Sequence, residues 1–267
     1  MTTMTLSLSD GTIAYEEAGS GPLIVCIPGM GDLHSQFRFL APRLVASGYR
    51  VVTMDLRGHG ESSAHWKDYS IASIGADLLA LLKHLDAGPA VVIANSMAAG
   101  SAVLAAVEGP QWVRSLILLD PAVRGEASWL WRILLAVLFA RPWGPAAWAR
   151  YYTTLYPSQK PADFEIQLDA IKRNLSQPGR MEALHGLMIA SQTIAAENLG
   201  KARVPALVIM GSRDPDFKQP EQEAAWVAQS LDAHYEMIPG AGHYPHVEMP
   251  EITTPHILSF LAQLEQR

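Results

Sequence analysis

The sequence has a single cysteine, few charged residues for its length and no hydrophobic run long enough to cross a membrane. Cys26 lies within the apolar run 23–27 and has no partner for an internal disulfide, so it fits a reducing compartment. The most apolar stretch, 128–140, is interrupted by Arg132 and falls short of the ~20 residues of a membrane-spanning helix. The first ten residues lack the pattern of a secretory signal. We therefore expect a cytoplasmic protein with no membrane span.

Several motifs that would indicate a cofactor or a charged partner are also missing. The formal net charge is −6 and no Lys/Arg cluster is present, which argues against nucleic acid or an anionic membrane as a partner. The sequence has no His-Glu-x-x-His motif, no cysteine pair, no dinucleotide fingerprint and no P-loop. We therefore predict no metal and no cofactor. With 49% hydrophobic and 17% charged residues, the 267-residue chain is predicted to form a well-packed globular protein.

Short apolar segments alternate with helical patterns along most of the chain. Two alternating segments flank Ser9-Asp10-Gly11, a pattern typical of a β-hairpin. Continuous apolar strands separated by amphipathic helices predict a mostly parallel sheet covered on both faces. The predicted strands after the hairpin are 23–27, 50–55, 90–94, 113–119, 206–210 and 233–238, and the predicted helices are 36–47, 71–85, 96–108, 222–230 and 251–264.

The alternation stops for about eighty residues after Asp120-Pro121. We predict that residues 1–121 and 204–267 form an α/β core and that 122–203 form an inserted helical cap over the strand ends. The cap segment contains Trp129, Trp131, Trp143 and Trp148. These rings either pack the cap onto the core or line an apolar substrate pocket, and the sequence leaves both readings open. All four tryptophans are candidate substrate-binding residues.

Ser96 lies between an apolar strand pattern and an Ala-rich helix pattern. A serine in such a sharp strand-to-helix turn has strained backbone angles, so the residues two before and two after it must be small. Both are alanine here, Ala94 and Ala98. The helix that follows directs N–H groups and the positive end of its dipole towards this turn, which favours a nearby oxyanion. The pattern predicts a nucleophilic serine, although an ordinary helix N-cap has the same local sequence.

An acidic residue and a histidine follow two later strands in the same way. Asp214 comes just after the strand pattern ending at 210, and His243 lies in the loop Gly240-Ala241-Gly242-His243. All three side chains are then expected at the carboxyl edge of the sheet, where open α/β sheets form their active sites. Asp216 and Asp120 are alternative acids, and the pattern Gly-x-x-Asp favours Asp214. His243 is the candidate base, with Asp214 orienting it.

The order Ser, Asp, His along the chain resembles that of the α/β-hydrolase superfamily, as does the segment 55–62, Asp-Leu-Arg-Gly-His-Gly-Glu-Ser. The resemblance covers nearly the whole chain and implies an α/β-hydrolase fold, with a mostly parallel eight-stranded sheet, helices on both faces and a helical cap. It also implies an oxyanion hole made by the backbone N–H groups of Met30 and Met97. The sequence departs from the family at Pro28, where histidine is common; neither expected donor lies at that position.

Three functions are compatible with this resemblance. We favour a serine carboxylesterase acting on small-molecule esters with small to medium apolar acyl groups. The second is a hydrolase of carbon–carbon bonds in ring-fission products, because Asn95-Ser96-Met97 resembles the elbow of that group, although Tyr244 stands where that group commonly has tryptophan. The third is a ligand receptor on the same fold. Ser96 argues against relatives with an aspartate nucleophile, and the sequence does not decide between monomer and homodimer.

Overall fold

The computed structural model describes residues 3–125, 128–140 and 142–266. Within these residues the strands form one eight-stranded sheet in the order β1-β2-β4-β3-β5-β6-β7-β8. β2 pairs antiparallel with β1 and with β4. The other neighbouring strands, in the order β4, β3, β5, β6, β7 and β8, all pair parallel. The strand bounds are Met4–Ser7 (β1), Thr12–Ala18 (β2), Leu23–Ile27 (β3), Arg50–Met54 (β4), Ala90–Asn95 (β5), Val113–Leu119 (β6), Ala206–Gly211 (β7) and His234–Ile238 (β8).

The central strands are apolar and almost entirely buried because helices cover both faces of the sheet. The helices of the core are Ala41–Ala46 (α1), Ile71–Leu85 (α2) and Ala98–Glu108 (α3), and after the insertion Pro220–Leu231 (α9), Pro245–Glu248 (α10) and Pro250–Glu265 (α11). α2, α3 and α9 pack in one apolar cluster, and α1 and α11 pack in a second cluster on the opposite face. The predicted fold class is confirmed.

The predicted helix 36–47 is wrong in its first part. The structure has a 3-10 helix at His34–Phe37, and α1 begins only at Ala41. The 3-10 turn places the backbone N–H of His34 2.7 Å from an Asp55 carboxylate oxygen, and the side chain of Gln36 is fully buried. Partners that are distant in the sequence, such as Asp55 for His34, hold this stretch, and the helical period of the sequence does not encode them.

The segment between β6 and β7 is helical, with α4 at Trp129–Leu138, α5 at Gly144–Thr154, α6 at Phe164–Leu175, α7 at Arg180–Met188 and α8 at Thr193–Asn198. A separate apolar cluster joins α5, α6 and α7 to the loop after β8. α8 instead packs on α3 through Ala195, which lies in the cluster of the core. The division into core and cap therefore stays a prediction, and α8 lies on the core side. None of the described helices combines the length and apolar character needed to span a membrane.

Candidate active site

Ser96 occupies the tight turn that joins β5 to α3. Its φ is +58°, a left-handed conformation that is strained for a residue with a side chain. The backbone N–H of Ser96 donates to the carbonyl of Leu119 at 2.9 Å, which fixes the turn against β6. Ala94 and Ala98 are fully buried on either side, where larger side chains have no space. Ser96 therefore lies just before the N-terminus of α3. The residue is buried, with 6% of its surface exposed.

His243 and Asp214 form a buried hydrogen-bonded pair. Nδ1 of His243 lies 2.7 Å from an Asp214 carboxylate oxygen, and Asp216 is 3.8 Å from the same nitrogen. Burial lowers the pKa of His243, but the charge and hydrogen bond of Asp214, together with Asp216 and Asp120, outweigh burial and raise that pKa above its usual value. Burial raises the pKa of Asp214, but the charge and the hydrogen bond of His243 lower it by more. The pKa of Asp214 therefore lies below its usual value, and its carboxylate is ionised. Because Nδ1 faces the carboxylate, Nε2 is the nitrogen available to a nucleophile.

Asp120, the alternative acid, is also buried beside this pair. Its φ is +45°, one carboxylate oxygen accepts a hydrogen bond from the N–H of Gly211 at 2.8 Å, and its own N–H donates to Ile209 at 2.7 Å. Burial and the negative charge of Asp214 raise the pKa of Asp120 well above its usual value. Asp120 therefore favours its neutral form and braces the ends of β6 and β7, whereas Asp214 carries the charge that faces His243.

The loop after β3 approaches Ser96 closely. A Cβ at Gly29 would lie 3.2 Å from the Cβ of Ser96 and 2.9 Å from an Asn95 side-chain oxygen, so only glycine fits there. Among the described residues, the backbone N–H groups of Met30 and Met97 donate to no protein acceptor. They are therefore available to a ligand oxygen, as the predicted oxyanion hole requires.

Three buried polar side chains, Gln36, Asn95 and His246, tie this loop to the nucleophile turn in a network that the sequence analysis did not predict. Gln36 accepts a hydrogen bond from the N–H of Gly29 at 3.0 Å and donates to the Asn95 side-chain oxygen at 2.9 Å. The Asn95 amide nitrogen in turn donates to the carbonyl of His243 at 3.3 Å. Gln36 also lies 3.1 Å from Nε2 of His246. This network fixes the oxyanion loop, the nucleophile turn and the histidine loop relative to one another. Asn95, a polar residue directly after the predicted apolar strand 90–94, was the available sequence signal.

Glu248 fixes the histidine loop to the insertion. One of its carboxylate oxygens accepts the N–H of Gly242 at 2.6 Å, and the other accepts the N–H groups of Ser158 and Gln159, each at 2.9 Å. The N–H of His243 itself donates to the carbonyl of Leu155 at 3.0 Å. The predicted base is therefore positioned partly by residues of the insertion and not by the core alone. This role of Glu248 was not predicted from the sequence, because its partners in the insertion lie about ninety positions away.

Asp32 links the oxyanion loop to the inserted helices. It is fully buried two residues after Met30, and one oxygen accepts a hydrogen bond from the Tyr152 hydroxyl at 3.0 Å. The other oxygen accepts from the side chain of Gln167 at 2.9 Å and from the N–H of Leu33 at 2.8 Å. Burial raises the pKa of Asp32 to about 6 against these hydrogen bonds. α5 and α6 thus hold the loop that carries Met30.

The four candidate tryptophans lie in different surroundings. Trp148 is buried, and its indole N–H donates to the carbonyl of Gly31 at 3.1 Å. A Cβ at Gly31 would collide with the Trp148 ring, so glycine is required for this contact. Trp129 and Trp143 are 69% and 52% exposed. The side chain of Trp131 lies outside the described part of the chain. Trp148 thus contacts the oxyanion loop, whereas Trp129 and Trp143 face solvent; a substrate-binding role for the set stays a prediction.

The carboxylates near His243 are also spaced as metal ligands are. Asp120, Asp214 and His243 each offer a ligand atom, and these atoms all lie within 4.8 Å of one another. The His243–Asp214 hydrogen bond explains why these two groups lie close together, and the raised pKa of Asp120 reflects its burial and the negative charge of Asp214 beside it. The cluster therefore fits acid–base chemistry.

Comparisons with known proteins agree with this architecture. A 2-(acetamidomethylene)succinate hydrolase of Mesorhizobium japonicum is 28% identical over 271 residues, which cover 94% of this chain and 91% of that protein. An sn-1-specific diacylglycerol lipase of Mus musculus is 26% identical over 256 residues, covering 90% and 81%. A thermophilic esterase structure from Thermogutta terrifontis shares the fold with a TM-score of 0.83, at 24% identity and with 99% of both chains covered.

The family match spans most of the chain. The family with the description alpha/beta hydrolase fold matches residues 22–250, from the residue before β3 to the first residue of α11. This range includes Ser96, Asp214 and His243, together with the whole insertion. The chain therefore belongs to the α/β-hydrolase fold family.

Proposed function

We propose that this protein is a serine hydrolase that cleaves carboxylic esters through an acyl-enzyme intermediate. The observation that carries the proposal is the strained serine turn at Ser96 combined with the buried His243–Asp214 pair. Strain of this kind persists only where the surrounding structure enforces it, and it is concentrated at functional sites. An N-cap serine needs no left-handed conformation. The geometry therefore favours the nucleophile over the capping role.

In the proposed reaction His243 removes the proton of the Ser96 hydroxyl as its oxygen attacks the ester carbonyl. The oxyanion that forms accepts hydrogen bonds from the N–H groups of Met30 and Met97. The intermediate collapses with cleavage of the acyl–oxygen bond, and His243 gives the proton to the leaving alcohol. Water then attacks the acyl-enzyme by the same route and releases the acid. Asp214 stabilises the imidazolium in both halves.

We further propose a preference for small to medium apolar acyl groups. Met30 is partly buried and packs against the apolar cluster of α5 to α7, as does Met188. Methionine side chains adapt to apolar ligands of varied shape. The names of two relatives, an esterase and a diacylglycerol lipase, support ester substrates in general. The name of a third relative, a hydrolase of a substituted succinate, leaves other hydrolytic substrates as alternatives.

The test is a series of p-nitrophenyl esters from acetyl to dodecanoyl, assayed with wild type and Ser96→Ala. Each methylene buried in the acyl site is expected to raise kcat/KM up to about fourfold, from ~0.8 kcal/mol per methylene, until the site is full. kcat/KM should rise towards butyryl or hexanoyl and then fall. Ser96→Ala should lower kcat by on the order of 10⁶.

The other outcomes separate the alternatives. A flat profile, or one that falls from acetyl onward, contradicts an apolar acyl site but leaves the serine mechanism in place. Weak ester turnover with faster cleavage of a ring-fission dienone supports the carbon–carbon hydrolase. Tight ligand binding with negligible turnover of every substrate supports a receptor. More than a few per cent residual esterase activity in Ser96→Ala, with contamination excluded, contradicts the proposed nucleophile.

A further inference from the structure

A large apolar surface extends over α4 and Trp143, the residue that directly precedes α5. We call it the α4 surface, and it consists of side chains that are each 48–69% exposed: Trp129, Leu130, Ile133, Leu134, Val137, Leu138 and Trp143. Monomeric globular proteins rarely expose so many large apolar side chains together, and such surfaces mark interaction sites. The α4 surface therefore needs a partner in addition to the substrate.

α4 is attached to the rest of the molecule at its C-terminal end. Phe139 is buried and packs edge-on against Trp148, with ring centroids 5.7 Å apart. The indole N–H of Trp143 donates to the carbonyl of Val137 at 3.0 Å, which satisfies an acceptor at the end of the helix. Trp148 in turn bonds the oxyanion loop through Gly31. α4 is therefore attached to the rest of the molecule although many of its side chains are exposed. Its contacts connect it through Phe139 and Trp148 to the loop that carries Met30.

The distribution of exposed positions around α4 distinguishes between kinds of partner. A helix that binds a protein groove presents apolar residues at positions i, i+3, i+4 and i+7, on one face. Here the exposed apolar positions are the adjacent pairs 129–130, 133–134 and 137–138, which at about 100° per residue cover about half of the helix circumference and form a wider face than that stripe. A helix with a broad apolar face that includes tryptophan and leucine, and with a basic residue such as Arg132 on its other side, is suited to lie in a membrane interface. At ten residues, about 15 Å, it is too short to span a membrane and long enough to insert into one surface.

Charge is also segregated in this part of the sequence. Between residues 127 and 162 the chain has four basic residues, Arg132, Arg141, Arg150 and Lys160, and no aspartate or glutamate, although the whole chain carries −6. Arg132, Arg150 and Lys160 are exposed, and Arg141 lies outside the described residues. Glu182 of α7 lines a cavity of about 290 Å³ beside Ala136 and Phe139. Despite this carboxylate, the sequence segment 127–162 that carries the α4 surface is basic, which complements the negative charge of anionic lipid headgroups.

We propose that the α4 surface inserts into the surface of an anionic lipid bilayer. Tryptophans at both ends of the apolar helix suit the boundary between headgroups and acyl chains, and the basic residues provide electrostatic attraction. This proposal opposes the expectation drawn from the net charge, because the net charge averages over the chain and hides an acid-free segment of 36 residues. Docking in this way places the insertion, and with it the loop that carries Met30, next to a source of apolar molecules.

The experiment measures sedimentation of the full-length protein with vesicles of phosphatidylcholine and phosphatidylglycerol, about three to one, and with vesicles of phosphatidylcholine alone. The test variant combines Leu130→Gln, Leu134→Gln and Val137→Gln, because glutamine keeps helix propensity while removing apolar area. The matched control combines Ile166→Gln, Ile194→Gln and Ile252→Gln, three exposed isoleucines outside the α4 surface. Circular dichroism and thermal unfolding establish that both variants are folded.

Wild type and the control should bind the mixed vesicles more tightly than the neutral ones, and added salt should weaken the binding. The α4 variant should bind at least about tenfold more weakly, because three buried apolar side chains are lost. The proposal is overturned if wild type binds neither vesicle or if both triple variants lose binding equally. It is also overturned if size-exclusion chromatography shows a wild-type dimer that the α4 variant abolishes, since the partner is then a second copy of the chain. None of these readouts depends on ester hydrolysis.

Discussion

The two parts of the helical insertion differ sharply in how they meet the core. α5, α6 and the link 155–159, which we call the inner part, contact the predicted active-site loops through buried hydrogen bonds. α4 has a nearly continuous solvent-exposed apolar surface and is anchored mainly through Phe139 and Leu135. The sequence of both parts is aromatic and apolar. Hydropathy alone therefore does not separate a helix that positions a site from one that presents a surface.

The comparison shows that hydrogen bonds from polar side chains and backbone groups attach the inner part to the predicted active-site loops. The inner part supplies Tyr152 and Gln167 to Asp32, Trp148 to Gly31, and backbone groups of the link to Glu248. Each such bond satisfies a buried group that is costly to leave unpaired, by about 1–3 kcal/mol. The inner part is thus fixed in place and behaves as a component of the site. A lid that opens freely would break several of these bonds at once, so we expect any opening to involve α4.

The largest expected effect comes from removing the negative charge of Asp214, which faces His243. Asp214→Asn should lower kcat by about 10³–10⁴, because the amide favours the wrong tautomer of His243. Burial already lowers the pKa of His243, and without the opposing Asp214 charge that pKa falls. The acidic limb of kcat/KM against pH should therefore move to lower pH, which pH–rate profiles measure.

Asp120→Asn is the matched control for this substitution. Burial and the negative charge of Asp214 raise the pKa of Asp120, which favours its neutral form, and the amide oxygen of asparagine keeps the acceptor for the N–H of Gly211. We expect a decrease in kcat of less than about tenfold. The reverse order, with Asp120→Asn crippling and Asp214→Asn nearly silent, would identify Asp120 as the acid and contradict the assignment.

A smaller effect is expected where the inner part holds the histidine loop. Glu248→Ala leaves the N–H groups of Gly242, Ser158 and Gln159 without their acceptor and should lower the free energy of unfolding by about 2–4 kcal/mol. kcat should fall more than KM changes, because the loop positions the base. Chemical denaturation and steady-state kinetics measure the two effects.

Glu251→Ala provides the comparison for Glu248. Glu251 is exposed on α11 and pairs with Arg43 at the surface, so its loss should leave both stability and kcat unchanged within error. If the two variants behave alike, the bonds between the inner part and the histidine loop do not matter for function, and the contrast between the two parts of the insertion is lost.

The smallest effect should come from α4. The triple variant Leu130→Gln, Leu134→Gln, Val137→Gln should keep kcat/KM for a short water-soluble ester within about twofold, because these side chains face solvent. The measurement is the initial rate with p-nitrophenyl acetate in the absence of lipid. A large loss of turnover there would show that α4 supports the site directly, and the distinction between the two parts would then be wrong.

The fold was predictable because its signals are local. Apolar runs, the Ser96 turn and the glycines of the histidine loop each show their structure within a few residues. Gln36 and Glu248 were not predictable, because their partners are distant in sequence and their residue types are ordinary surface ones. The cap tryptophans show the same limit: Trp148 and Trp143 lie five residues apart, yet one is buried and one is exposed. Tertiary contacts decide that difference.

The central claim, that Ser96 is an activated nucleophile, is tested most directly by covalent labelling with a fluorophosphonate. Intact mass and peptide mapping are measured for wild type, Ser96→Ala and His243→Ala. The account predicts one adduct on Ser96 in wild type, none in Ser96→Ala and at least ~10³-fold slower labelling in His243→Ala. Labelling of Ser96→Ala at the wild-type rate, or a wild-type adduct on another serine such as Ser101 of α3, would contradict it.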